Sequence, residues 1–131
     1  MVGIYINGNG KKRWTAGPSR ILADGTKEWH NEACLKHREN GPAMEYADGT
    51  VEWWYHGKLH RGDGPAVMAT NGTKMWYNHG KLHRLDGPAA EYSDGVKEWY
   101  VDGQHHRIDG PAMIYPDGHC RWFIYNQERR N

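Results

Sequence analysis

Histidines at a recurring spacing and two pairs of glutamates are the residues whose types could do chemistry in this 131-residue chain. His56 and His60, and again His79 and His83, stand four apart, a spacing that on a helix would bring two imidazoles to one face for a metal. Here Gly57-Lys58 or Gly80-Lys81 intervenes, and Asp102 replaces the first His in the next copy. The expectation is therefore a turn with structural histidines, and no metal. Arg61/Asp63, Arg84/Asp86 and Arg107/Asp109 repeat the same two-residue step. Each guanidinium could fork onto a carboxylate of its own or an adjacent copy, fixing the stacking register, or could form a basic binding edge. Glu45/Glu52 and Glu91/Glu98 would face one another across a hairpin, as glycosidase carboxylates do across a substrate. The same pair is Met68/Met75 in the copy between. A catalytic pair occurs once in a pocket, so solvated or Arg-neutralised glutamates are expected. With no Ser-His-Asp order, phosphate loop or His-Glu-x-x-His run, the chain reads as a non-enzyme without cofactors.

These residues recur because the chain itself recurs. Gly-Pro falls at residues 17, 41, 64, 87 and 110, and a Trp follows twelve residues after each Gly, at Trp29, Trp53, Trp76, Trp99 and Trp122. Asp-Gly or Asn-Gly lies between, from Asp24-Gly25 to Asp117-Gly118. The period is 23 residues, with one residue added between Trp29 and His37. A fixed period of this size means that one supersecondary unit is copied and stacked. Short aromatic and β-branched runs on either side of Asp-Gly make that unit a β-hairpin, expected to close through a two-residue type I′ loop. That loop would pair Met44 with Trp53, Tyr46 with Val51, Ala43 with Trp54 and Glu45 with Glu52. One face would then hold the repeated Trp as core. The other would carry a second column, His30, Trp54, Tyr77, Tyr100 and Phe123, each over Ser or Ala.

Composition agrees with a thin array. Seven Trp and eight Tyr must supply buried area that the few aliphatic residues cannot. The net charge of +1 points to neither nucleic acid nor an anionic membrane. Without a basic-then-apolar leader or a long apolar run, the expected compartment is the cytoplasm, that of the host if the chain is phage-encoded. Cys34 and Cys120 occupy unrelated repeat positions and read as free thiols.

The run Trp76-x-x-x-Gly80-Lys81-Leu82-His83-Arg84-x-Asp86-Gly87-Pro88-Ala89-x-x-Tyr92-x-Asp94-Gly95-x-x-x-Trp99 resembles the MORN repeat. It is most similar to the bacterial and phage variant found in YwqK-type, antitoxin-labelled repeat proteins. The resemblance covers residues 5 to 125, with His-Arg-x-Asp-Gly-Pro where the eukaryotic repeat has two spaced glycines. It implies a hairpin-repeat fold and an antitoxin-like or anti-defence role, with a toxin or a host defence protein as the target.

The expected fold is all-β: a single elongated antiparallel sheet or solenoid of five tandem β-hairpin repeats. One domain spans 1–131, in units near 6–29, 30–53, 54–76, 77–99 and 100–125, with degenerate caps at Asn9-Gly10-Lys11-Lys12-Arg13 and Gln127-Glu128-Arg129-Arg130. The expected function is a non-enzymatic protein-binding inhibitor that masks a partner. The alternatives are a small-ligand, nucleotide-like sponge and a structural phage component. Candidate partner-binding residues are Trp54, Tyr77, Tyr100 and Phe123 of the second column, and His60, Arg61, His83, Arg84, His106 and Arg107 of the connections. Neither nucleic acid nor membrane is expected as a partner, and the chain is expected to be a monomer or to self-associate weakly through open sheet ends.

Overall fold

In the computed structural model, residues 4–6, 12–14 and 17–129 are described. The chain is all-β. An open antiparallel sheet of eleven strands takes two from each successive repeat: Arg20–Ile21 and Lys27–Glu28, Met44–Glu45 and Val51–Glu52, Val67–Met68 and Lys74–Met75, Ala90–Glu91 and Lys97–Glu98, then Met113–Ile114 and Cys120–Ile124, with Gln127–Arg129 last. Every strand pairs with its sequence neighbours, so each hairpin is hydrogen-bonded to the next. A separate pair, Ile4–Ile6 with Lys12–Trp14, aligns Tyr5 with Arg13. The rest of the expected opening cap, and Arg130 of the closing one, fall outside the described residues. Among the described residues no helix is long and apolar enough to cross a membrane.

The Asp-Gly turns differ from the expected two-residue loop. Gly49 N–H donates to the Tyr46 carbonyl at 2.9 Å and Tyr46 N–H to the Thr50 carbonyl at 2.8 Å, which encloses three residues. Only Gly49 has a positive φ, +97°, whereas a type I′ loop needs two such residues. The turn is thus type I followed by a left-handed Gly. Asp48 Oδ1 accepts the Thr50 N–H at 2.8 Å, which is what selects Asp before the Gly. The other four repeats close the same way. One extra loop residue moves the register by one, pairing Met44 with Glu52 and Glu45 with Val51. A one-residue slip turns every side chain of one strand to the opposite face. The expected pairs Met44–Trp53 and Glu45–Glu52 therefore do not form.

Type I′ geometry is found instead in the connections. His56-Gly57 has φ values of +48° and +81°, and His79-Gly80, Asp102-Gly103 and Tyr125-Asn126 repeat the pattern. The first three each close a second hairpin, Trp54–Tyr55 with Lys58–Leu59, Tyr77–Asn78 with Lys81–Leu82, and Tyr100–Val101 with Gln104–His105, and the fourth joins Cys120–Ile124 to Gln127–Arg129. These small hairpins stack through single backbone bonds, Gly80 N–H to the Leu59 carbonyl at 2.8 Å for example. In the first connection the added residue lengthens the loop to three, and Cys34, at φ +64°, takes the left-handed position.

The buried centre is small. Ala43, Ala66, Ala89, Ala90 and Ala112 have no exposed surface and Met44 has 3%, while among the described residues no large side chain is completely buried. Trp29 is buried, but Trp53, Trp76, Trp99 and Trp122 are half-buried. The Trp face is therefore a half-covered layer rather than a closed core, because another side chain covers it.

Candidate functional site

That side chain is arginine. The guanidinium carbon of Arg38 lies 3.9 Å from the ring centroid of Trp29, Arg61 3.8 Å from Trp53, Arg84 3.8 Å from Trp76 and Arg107 4.0 Å from Trp99. Its opposite face rests on the Gly of Gly-Pro. A Cβ on Gly64 or Gly87 would come within 3.0 Å of the guanidinium carbon, and on Gly110 within 2.7 Å. Only glycine lets the backbone approach so closely. The Arg61 Nη1 donates to the Pro65 carbonyl at 3.0 Å and its Nε to Asp63 at 2.9 Å, with equivalent bonds in the next two repeats. The Arg–Asp pairs are thus real, within each loop, but the carboxylates are nearly fully exposed. Exposed pairs contribute little, so the ring and the carbonyl hold the arginine.

The histidines join one repeat to the next. The Nδ1 of His37, His60, His83 and His106 accepts the backbone N–H of His56, His79, Asp102 and Tyr125 respectively, at 3.0–3.1 Å. Each donor is the first, left-handed residue of a connection turn. An imidazole accepts there only when that nitrogen carries no proton. The His60 and His79 rings also stack, with centroids 4.3 Å apart. Burial, and then the neighbouring His79, hold the His60 pKa below its ordinary value of 6.5. In the following joint the Asp102 carboxylate lies 3.4 Å from His83 Nδ1. His56 and His60 do not converge as a metal pair; His56 Nδ1 faces the Asn31 amide at 3.1 Å instead. Among the described residues no group of three or more His, Cys, Asp or Glu is placed to hold a metal ion.

The opposite face holds the second aromatic column. Trp54 pairs with Leu59, Tyr77 with Leu82, Tyr100 with His105 and Phe123 with Glu128, so these residues belong to the connection hairpins and do not sit across from alanine as expected. All four are half-buried. Glu52 Oε1 accepts both the Tyr46 hydroxyl, at 3.0 Å, and the Trp54 indole N–H, at 2.9 Å. Glu98 does the same for Tyr92 and Tyr100, at 3.1 and 3.0 Å. Burial and the adjacent carboxylate push the Tyr46 hydroxyl up to about 12. Glu45 and Glu91 lie on the other face, 3.2 and 3.3 Å from Arg38 and Arg84. The facing carboxylates considered from the sequence are thus separated by the sheet and individually occupied. The Nδ1 of His105 is buried without a partner, at a position held by Leu59 and Leu82 in the preceding repeats.

Between successive Arg-x-Asp loops the edge of the array opens into slots. Four recur, of roughly 660, 600, 630 and 730 Å³, in chain order. The first is lined by Trp29 and Arg38, the second by Arg38, Trp53 and Arg61, the third by Arg61, Trp76 and Arg84, and the fourth by Arg84, Trp99 and Arg107. His60, His83 and His106 each border a slot and Tyr77 lines the third, whereas Trp54, Tyr100 and Phe123 line none of the four. The sequence reading passed over the middle residues of the loops. Leu85 and Ile108 are 81% and 79% exposed and both line the fourth slot. An aliphatic residue in a loop whose other positions are fixed by Arg, Asp and Gly was the available signal. Comparison with protein-family models, curated proteins and solved structures finds no match to this chain.

Proposed function

We propose that the chain is a non-enzymatic protein-binding module that masks a partner along its slotted edge. The observation that supports this most is the recurrence of the slot in four successive repeats, with Leu85 and Ile108 bare at the rims of the last two. Repeat arrays bind through such extended surfaces, to which each unit adds a contact. The resemblance of the repeat to antitoxin-labelled and phage proteins makes a toxin or a host defence protein the target. On this reading the arginines and histidines of the connections build the edge, and the partner meets its outer atoms.

Affinity capture from a host lysate tests the proposal, with the wild-type chain and Leu85→Asp/Ile108→Asp as baits. These side chains are exposed, so the variant keeps its fold by circular dichroism and loses the captured protein. Tyr100→Ala, at a residue that lines none of the slots, retains it. Capture of no protein above a control bait, or equal capture by the Leu85/Ile108 variant, defeats the proposal. Release of an ultraviolet-absorbing small molecule on denaturation, with no protein partner, supports the sponge alternative instead.

A further inference from the structure

The spacing and chemistry of the slots say what kind of segment lies in them. Each repeat adds two adjacent strands to the sheet, so successive slots follow at about 9.6 Å, twice the strand spacing. An extended β-strand turns its side chains to alternate sides, and residues on one side recur at about 6.8 Å. An α-helix advances about 5.4 Å per turn. The polyproline II helix brings every third residue to the same side, at about 9.3 Å. Of these three conformations only the last matches the array.

Charge points the same way. Arg61, Arg84 and Arg107 are each paired with an aspartate of their own loop, so the second, third and fourth slots offer balanced charges, while the first sets Glu32 and Glu39 beside Arg38. A polyanion or a polycation finds no complementary surface, whereas a neutral segment meets no uncompensated charge. The side chains left without a charged or polar role at the rim are the apolar Leu85 and Ile108, with Val101 and Tyr125 beside them in the fourth slot. Polyproline II also has free backbone carbonyls, because it forms no internal hydrogen bonds. Donors are at hand beside the slots: Trp53, Trp76 and Trp99 line them, and among the described residues their indole N–H groups have no hydrogen-bond partner. Aromatic-lined grooves are a recurrent way of holding this conformation.

We infer that the slotted edge docks an uncharged, proline-rich segment in the polyproline II conformation, running across the strands and placing one apolar side chain per slot at every third residue. This deepens the protein-binding reading and rests on it. The test uses the full chain and two synthetic peptides, (Leu-Pro-Pro)4 and (Leu-Pro-Pro-Pro)3, equal in length but spaced by three and by four. Binding is followed by intrinsic Trp fluorescence and by calorimetry. The period-three peptide is expected to bind at least tenfold more tightly than the period-four peptide, to gain affinity with each added triplet up to four, and to lose it in Leu85→Asp/Ile108→Asp. The absence of binding, or equal affinity for the two spacings, overturns the inference. Those outcomes leave the masking reading to the lysate experiment, where a partner lost in the same variant would show that the edge binds a segment of another conformation.

Discussion

At the residue scale the repeat is organised by one arginine with four neighbours. Arg61 stacks on Trp53, lies against Gly64 and donates to both Pro65 and Asp63. This explains why Gly precedes Pro at residues 41, 64, 87 and 110, although Gly64, unlike the turn glycines, has no positive φ. Two glycines in one loop separate the contributions. A Cβ on Gly62 meets nothing within 4 Å, while one on Gly64 meets the guanidinium at 3.0 Å. Gly64→Ala should therefore cost about 2 kcal/mol, as overpacking of a fitted contact does. Gly62→Ala should be neutral or slightly stabilising, by a few tenths of a kcal/mol, because it restricts the unfolded chain. Urea midpoints of the two variants check this, and equal midpoints would remove the stacked arginine from the account. The sequence showed Arg, Asp and Gly-Pro at fixed spacing but not which of them carried the contact. The pairing with Asp63 was legible; the stack on Trp53 was not, because it depends on the path of a folded connection.

At the element scale each connection hairpin is tied to the next through a neutral imidazole. Because burial holds the His60 pKa below 6.5, the unfolded chain takes up a proton on this residue before the folded one does. Stability linked to His60 is then fully present above pH 6.5 and is lost as pH falls below it. His105 adds to the effect, since burial lowers its pKa as well. The urea midpoint should hold steady on the neutral side and fall on acidification below 6.5. His79→Asp should reduce the fall, because it gives this joint the carboxylate that His83 already meets in Asp102. A midpoint independent of pH from about 7.5 to about 5, one unit or more on either side of the ordinary imidazole value, in the wild-type chain would show that the histidine bonds do not bear on stability.

At the scale of the whole molecule the described residues enclose no large side chain completely. The buried side chains of the array are mostly alanines and methionines, with Trp29, Thr26 and His106, lying between two half-covered aromatic layers. Stability in such an array is close to a sum of units and nearest-neighbour contacts. Trp76, in the middle repeat, carries Arg84 and donates its backbone N–H to Ala89 of the next repeat at 2.7 Å. Trp76→Ala is expected to cost about 3 kcal/mol, the lower end for a large aromatic because the ring is only half-buried. Trp122→Ala, in the last repeat, should cost clearly less. Denaturant unfolding of the two variants decides the matter, and coincident midpoints would refute the nearest-neighbour description.

The sequence by itself determined the period, the all-β hairpin unit and its stacking into one open sheet. These follow from local chemistry that repeats: Asp-Gly turns, short β-forming runs and a Trp at constant spacing. It did not determine which residues share a face. Asp-Gly fits both a two-residue loop, with Asp and Gly left-handed, and a three-residue loop, with Gly alone left-handed, and the two differ by one residue of register. The tertiary structure holds the second. In it Glu52 lies beside Tyr46 and Trp54, Glu45 lies beside Arg38, and two glutamates that would have repelled each other are each given a donor. The same choice sets the arginines over the Trp layer and opens the slots between their loops. Those contacts join residues from different strands, and only the folded array brings them together.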